Sequence, residues 1–188
     1  DQTGLAQKYG AVLSHVRIAA DAERLHGMRI PAGQVDLLLG ADLIVAAGKE
    51  ALSMLSAGRS AVIVNTHEEM PWDFIRGRDL AFPGKALLGA LRNAGRAGAV
   101  ATLDATRLAS ALLGDSIGAN VLMLGFAFQR GLLPDSGAAL YRALEPYGRS
   151  VGENKLAFDW GRFAAESLEQ VERLPSAREG EQPVATSL

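Results

Sequence analysis

Cysteine is absent from the 188-residue sequence. No disulfide framework, thiolate-held zinc or cysteine-held iron–sulfur cluster can form within it, and any electron-transfer centre of that kind must sit elsewhere. An excess of one charge sign is lacking as well: 19 Lys+Arg stand against 21 Asp+Glu, a net charge of −2. With an isoelectric point near 5.9, the chain carries no electrostatic footprint for nucleic acid or anionic lipid. Long apolar runs are also missing. The richest are Val35 to Ala47, interrupted by Asp36 and Asp42, and Val121 to Phe128, eight residues where a spanning helix needs about 20. The start, Asp1-Gln2-Thr3-Gly4, has no initiator methionine, charged n-region or apolar h-region. It reads as neither a signal peptide nor a natural start, so the expectation is a chain cut from something longer.

What is present suffices for a core, since a chain of this length buries about 70% of its unfolded surface on folding. Residues 11–19 alternate, with Val12, Ser14, Val16 and Ile18 on one side and Leu13, His15 and Arg17 on the other, which predicts a strand. Val35 to Leu39 is a short apolar run ended by Gly40, and Asp42 is a plausible N-cap for a helix to about Met54 and Leu55. Ser60 to Asn65 is a β-branched run. Strand, helix and strand in about 30 residues is a βαβ unit with a parallel pair. Glu69 to Phe82 lacks a period and reads as a long loop or excursion.

Helices dominate thereafter. Leu87, Leu88 and Leu91 mark one from Pro83, closed by Gly95 and Gly98 before a short strand at Ala99 to Leu103. Asp104 caps the next, with Ala105, Leu108, Ala109 and Leu112 on one face and Gly114 as its stop. The helix opened by Asp115-Ser116 is apolar nearly all round to Phe128 and should be buried between layers. Pro134-Asp135-Ser136 restarts a helix with Leu140, Ala143, Leu144 and Tyr147 on one stripe. The last, from about Glu153, aligns Leu156, Trp160, Phe163, Val171 and Leu174. The reading is an α/β class, three-layer α/β/α, with a mostly parallel (mixed) central sheet, Rossmann-like, and a helix-rich C-terminal half. One domain is expected over 1–174, with 175–188 a polar, proline-containing disordered tail.

Several motifs fail on context. Gly114-Asp115-Ser116-Ile117-Gly118 matches the G-x-S-x-G nucleophile elbow, but that elbow needs a preceding strand and a histidine that follows the serine. A helical pattern precedes it here, and His15, His26 and His67 all come earlier. Gly77 to Gly84-Lys85 has the wrong glycine spacing for a phosphate loop, with Ala86 in place of the Ser/Thr. His67-Glu68-Glu69 has no second histidine at i+4 to make a zinc helix. More informative are strand ends and glycine loops, where open α/β sheets collect ligands. Asn65 and Thr66 follow the second βαβ strand, and Asn65 either meets a ligand or bonds the turning backbone. Lys8 lies in the polar loop Gly4 to Gly10 and could meet an anion or be solvated; Asn120, in an apolar helix, must find a partner if buried.

Three stretches, in combination and order, resemble a known family. Thr3-Gly-Leu-Ala-Gln-Lys-Tyr-Gly-Ala-Val-Leu-Ser-His-Val-Arg-Ile18 looks like the loop and strand of the gamma-type domain of 2-oxoacid:ferredoxin oxidoreductases, most closely the fused bacterial indolepyruvate ferredoxin oxidoreductases. Val35 to Asp42 with Ala61 to Glu68 is similar to that domain's strand, helix and strand-end Asn. The third stretch is Leu112 to Gly125 through Gln129 to Pro134, joined by Glu153 to Arg162.

The resemblance implies oxidative decarboxylation of an aryl 2-oxoacid such as indole-3-pyruvate to an acyl-coenzyme A, with electrons passing to ferredoxin. It implies thiamine diphosphate and 4Fe-4S clusters on partner domains of a cytoplasmic enzyme, and no catalytic or metal-binding residue in this chain. Gln7, Lys8, Gly10, Asn65 and Asn120 are the candidate residues on the coenzyme A side. In two places the sequence departs from the family pattern: its usual first strand and G-x-G-G-x-G turn lie upstream of Asp1, and Tyr9 stands where the motif has glycine. Alternatives are a free-standing coenzyme- or nucleotide-binding module and a purely structural packing domain, which predicts an exposed apolar face.

Overall fold

The computed structural model describes residues 2–3, 11–21, 23, 25, 27, 29–68 and 82–174. The expected loop from Glu69 therefore lies outside the described residues except at Phe82, as does the expected tail. The chain forms two compact units, residues 1–103 and 104–188. Among the described residues no helix is long and apolar enough to cross a membrane.

The first unit is built on a parallel sheet. Strands β3 (Leu37–Gly40), β4 (Ala61–Asn65) and β5 (Val100–Leu103) lie in that order, with Leu37 opposite Ala61 and Val62 opposite Val100. Helices α1 (Leu43–Ala46) and α2 (Lys49–Met54) join β3 to β4, and α3 (Gly84–Ala94) precedes β5. Each parallel pair thus has helix between its strands, and for β3 and β4 this is the βαβ unit that the spacing predicted. β4 is central and wholly buried, which is why it is a continuous β-branched run and does not alternate. Its Val62 and Val64 meet Leu43, Ala46, Met54, Leu55 and Leu91. The α/β class, with a parallel sheet flanked by helices, is as expected and consistent with a three-layer α/β/α fold.

Two local expectations are corrected. A single helix from Asp42 to Leu55 is instead α1 and α2, because Gly48 adopts an extended backbone as the N-cap of α2. The 11–19 strand reduces to β2 (Leu13–Ser14), antiparallel to β1 (Gln2–Thr3). Val16 and Ile18 are 73% and 58% exposed. The opposite face is the anchored one: Leu13 packs on the core, His15 Nδ1 accepts from the Ile30 N–H at 3.2 Å, and Arg17 donates to the Gly27 carbonyl at 3.1 Å. A period of two leaves the choice of inward face to partners, and these partners select the mixed face.

At the amino end of the sheet, Ser60 is fully buried; its Oγ donates to the Val35 carbonyl at 2.6 Å and accepts from the Ser56 N–H at 2.9 Å. Ser60→Ala would strand both backbone groups, a loss of about 1–3 kcal/mol, read as a lower urea midpoint at unchanged slope. Nearby, Arg59 grips Asp36 through Nε at 2.5 Å and a second nitrogen at 3.0 Å. The Arg59 hydrogen bond holds the Asp36 carboxyl below its ordinary value. Any stability from the pair is therefore present above the unfolded carboxylate range and lost as pH falls through the folded value. Both side chains are largely exposed, so the contribution is small.

The second unit is helical. Asp104 caps α4 (Ala105–Leu113), accepting from the Arg107 N–H at 2.9 Å, and Gly114 ends it at φ 81°. That left-handed backbone is the one glycine adopts without steric cost. After the 3₁₀ turn Ser116–Gly118 come α5 (Ala119–Gln129), α6 (Gly137–Leu144), a second 3₁₀ segment and α7 (Val151–Glu172). Ser136 caps α6 through the Ala139 N–H at 3.2 Å. α5 is buried along most of its length, as its uniform hydrophobicity predicted.

The face expected of the last helix is corrected. α7 buries Ala157, Phe158, Gly161, Ala164 and Val171, whereas Leu156 and Phe163 are 48% and 45% exposed and Leu174 is exposed too. Backbone proximity is the reason. A Cβ on Gly161 would lie 1.9 Å from the Leu122 carbonyl oxygen, and one on Gly125 would lie 2.0 Å from that of Phe158. Helices this close need small residues at the crossing, which leaves the large Leu156 and Phe163 exposed and Trp160 half-buried. The backbone is also non-helical at Ser167, so one helical period does not carry through to Val171 and Leu174.

Candidate functional site

The carboxyl ends of β3, β4 and β5 form one edge, where a parallel sheet presents loop backbone to a ligand. β3 stops at Gly40 because α1 crosses tightly there; a Cβ would fall 2.6 Å from that of Ala46 and 3.2 Å from Val64 Cγ2. Asp42 then starts α1 by accepting from the Val45 N–H at 3.0 Å. At the end of β4, Asn65 is only 5% exposed. Its Nδ2 donates to the Ala41 carbonyl at 3.1 Å, and its Oδ1 accepts from the His67 N–H at 3.2 Å. The Thr66 N–H donates to the Leu103 carbonyl at 2.9 Å, tying in the end of β5. One side chain and one amide thus hold three strand ends in register.

Chemically, this edge is a positioning device. Both ends of the Asn65 amide engage backbone, so of the two roles open to it the structure shows the turn-bonding one. Glu68 Oε1 lies 3.7 Å from where a Cβ on Gly84 would sit, placing a carboxylate at the start of α3, where it complements the helix dipole. Asn65→Ala would remove the hydrogen bonds to the Ala41 carbonyl and the His67 N–H, both part-buried. The expected loss is about 1–3 kcal/mol, with hydrogen exchange accelerated at residues 41–45 and 66–67, which maps the effect to this edge and away from the amino-end turn.

The other sequence candidates fall elsewhere. Gln7, Lys8 and Gly10 lie outside the described residues. Asn120 is on the first turn of α5 in the second unit and is exposed, so the demand for a buried partner does not arise. Gly114 to Gly118 is a helix stop and a new cap: α4 precedes it, and Asp115 accepts from the Ile117 N–H at 3.0 Å. Ser116 therefore lacks the strand-borne presentation of a nucleophile elbow. Among the described residues no group of three or more His, Cys, Asp or Glu is placed to hold a metal. A cysteine-held cluster does not fit a chain with no thiolate. Ala41 went unmarked in the sequence, and His67 stood out only as a potential metal ligand, because both act here through backbone atoms. Ser60 went unmarked too; its signal is its place at the head of an apolar strand, where a hydroxyl must find backbone partners.

No curated protein and no solved structure matches the chain. A family model does: residues 1–164 match that of pyruvate ferredoxin/flavodoxin oxidoreductase. The match takes in the whole parallel sheet, the Asn65 edge and the α5–α7 crossing, and it agrees with the resemblance at the level of 2-oxoacid:ferredoxin oxidoreductases. On that extent of agreement, the chain belongs to the pyruvate ferredoxin/flavodoxin oxidoreductase family.

Proposed function

We propose that the chain serves as the gamma-type domain of an indolepyruvate:ferredoxin oxidoreductase, contributing packing and the coenzyme A side of the reaction. The family match over residues 1–164 carries this reading. In the overall reaction an aryl 2-oxoacid loses carbon dioxide, its electrons pass to ferredoxin, and the acyl group joins the coenzyme A thiol. Thiamine diphosphate and 4Fe-4S clusters, held by partner domains, supply the decarboxylation and electron-transfer chemistry. The lack of any cysteine in this chain supports that division.

In this proposal residues 1–174 act as one domain of a cytoplasmic enzyme, with no catalytic residue of their own. Asn65 shapes the 41–42 turn, and Gln7, Lys8, Gly10, Asn65 and Asn120 are the candidate coenzyme A contacts. A packing role has its own support: Leu156 and Phe163 are exposed beside Trp160, whose ring stands edge-on to Phe163 at 6.1 Å. Apolar side chains clustered on one exposed helix face suit burial against another domain.

Calorimetric titration of the chain with coenzyme A separates the readings. Weak or no binding by the isolated chain agrees with a domain that needs its partners, whereas tight stoichiometric binding would favour the free-standing module. Comparing indolepyruvate with pyruvate as electron source tests the substrate class. A preference for pyruvate would overturn the aryl assignment and leave family membership intact.

A further inference from the structure

We draw no further inference here: the strongest candidate, the apolar stripe of exposed Leu156 and Phe163 with half-buried Trp160 along α7, belongs to the packing role already proposed, and nothing in the structure shows what covers it.

Discussion

Gly161→Ala is expected to destabilise the chain by about 3 kcal/mol or more, the upper end of the range for overpacking. The added methyl would lie 1.9 Å from the Leu122 oxygen, 2.8 Å from its carbonyl carbon and 2.9 Å from the Phe126 nitrogen. All three are backbone atoms, so no rotamer change relieves the clash and α5 and α7 must part. Gly125→Ala meets the Phe158 oxygen at 2.0 Å in the reciprocal way and should cost as much. Because either methyl forces the same separation, the double variant should lose less than the sum of the singles. Gly152→Ala is the control. It lies on the same helix with nothing within 4 Å of the new methyl, and should be neutral or stabilising by about 0.5–1 kcal/mol. Thermal melts of the four variants decide the matter; a Gly161→Ala melt equal to the parent's would remove the crossing from the account.

Phe158→Ala should cost about 3–5 kcal/mol, the usual loss for a fully buried phenylalanine. The ring is completely buried and joins three helices, with Phe128 of α5 at 5.6 Å and Tyr141 of α6 at 5.4 Å between centroids. Burial, with the Asp159 carboxylate beside it, pushes the Tyr141 phenol above its ordinary value, so that hydroxyl stays a neutral donor to Asp159. Truncating Phe158 removes the apolar wall under Tyr141 as well as its own contacts. Near-ultraviolet circular dichroism should lose tyrosine intensity together with stability, whereas Phe158→Leu should keep most of the fold. Retention of both signals in Phe158→Ala would mean that the second unit does not depend on this cluster.

Local chemistry was legible wherever one residue dictates one conformation. Asp42 and Asp104 cap as their positions suggest, the starts read at Asp115-Ser116 and Pro134-Asp135-Ser136 resolve to caps at Asp115 and Ser136, and Gly114 ends its helix in a left-handed backbone. The parallel sheet was legible because β-branched runs at βαβ spacing have few other solutions. Faces were harder. Leu156, Trp160 and Phe163 form a good stripe by periodicity, yet the buried face of α7 is set by how closely Gly125 and Gly161 let two backbones approach. The 11–19 segment failed for a related reason: alternation marks two faces, and hydrogen bonds at His15 and Arg17 decide which turns inward. At the site, Asn65 stood out by place, but its partners are a carbonyl and an N–H, which no residue type announces.

A role for this chain in an aryl 2-oxoacid:ferredoxin oxidoreductase is best tested by ferredoxin reduction in the assembly that contains it. That assembly would be recovered anaerobically through a tag on the full chain and supplied with thiamine diphosphate, coenzyme A, ferredoxin and indolepyruvate. The proposal predicts ferredoxin reduction that requires both indolepyruvate and coenzyme A, in a complex whose partners carry the cysteine-held clusters this chain lacks. Cofactor-replete complex that reduces no ferredoxin with any aryl 2-oxoacid would contradict it.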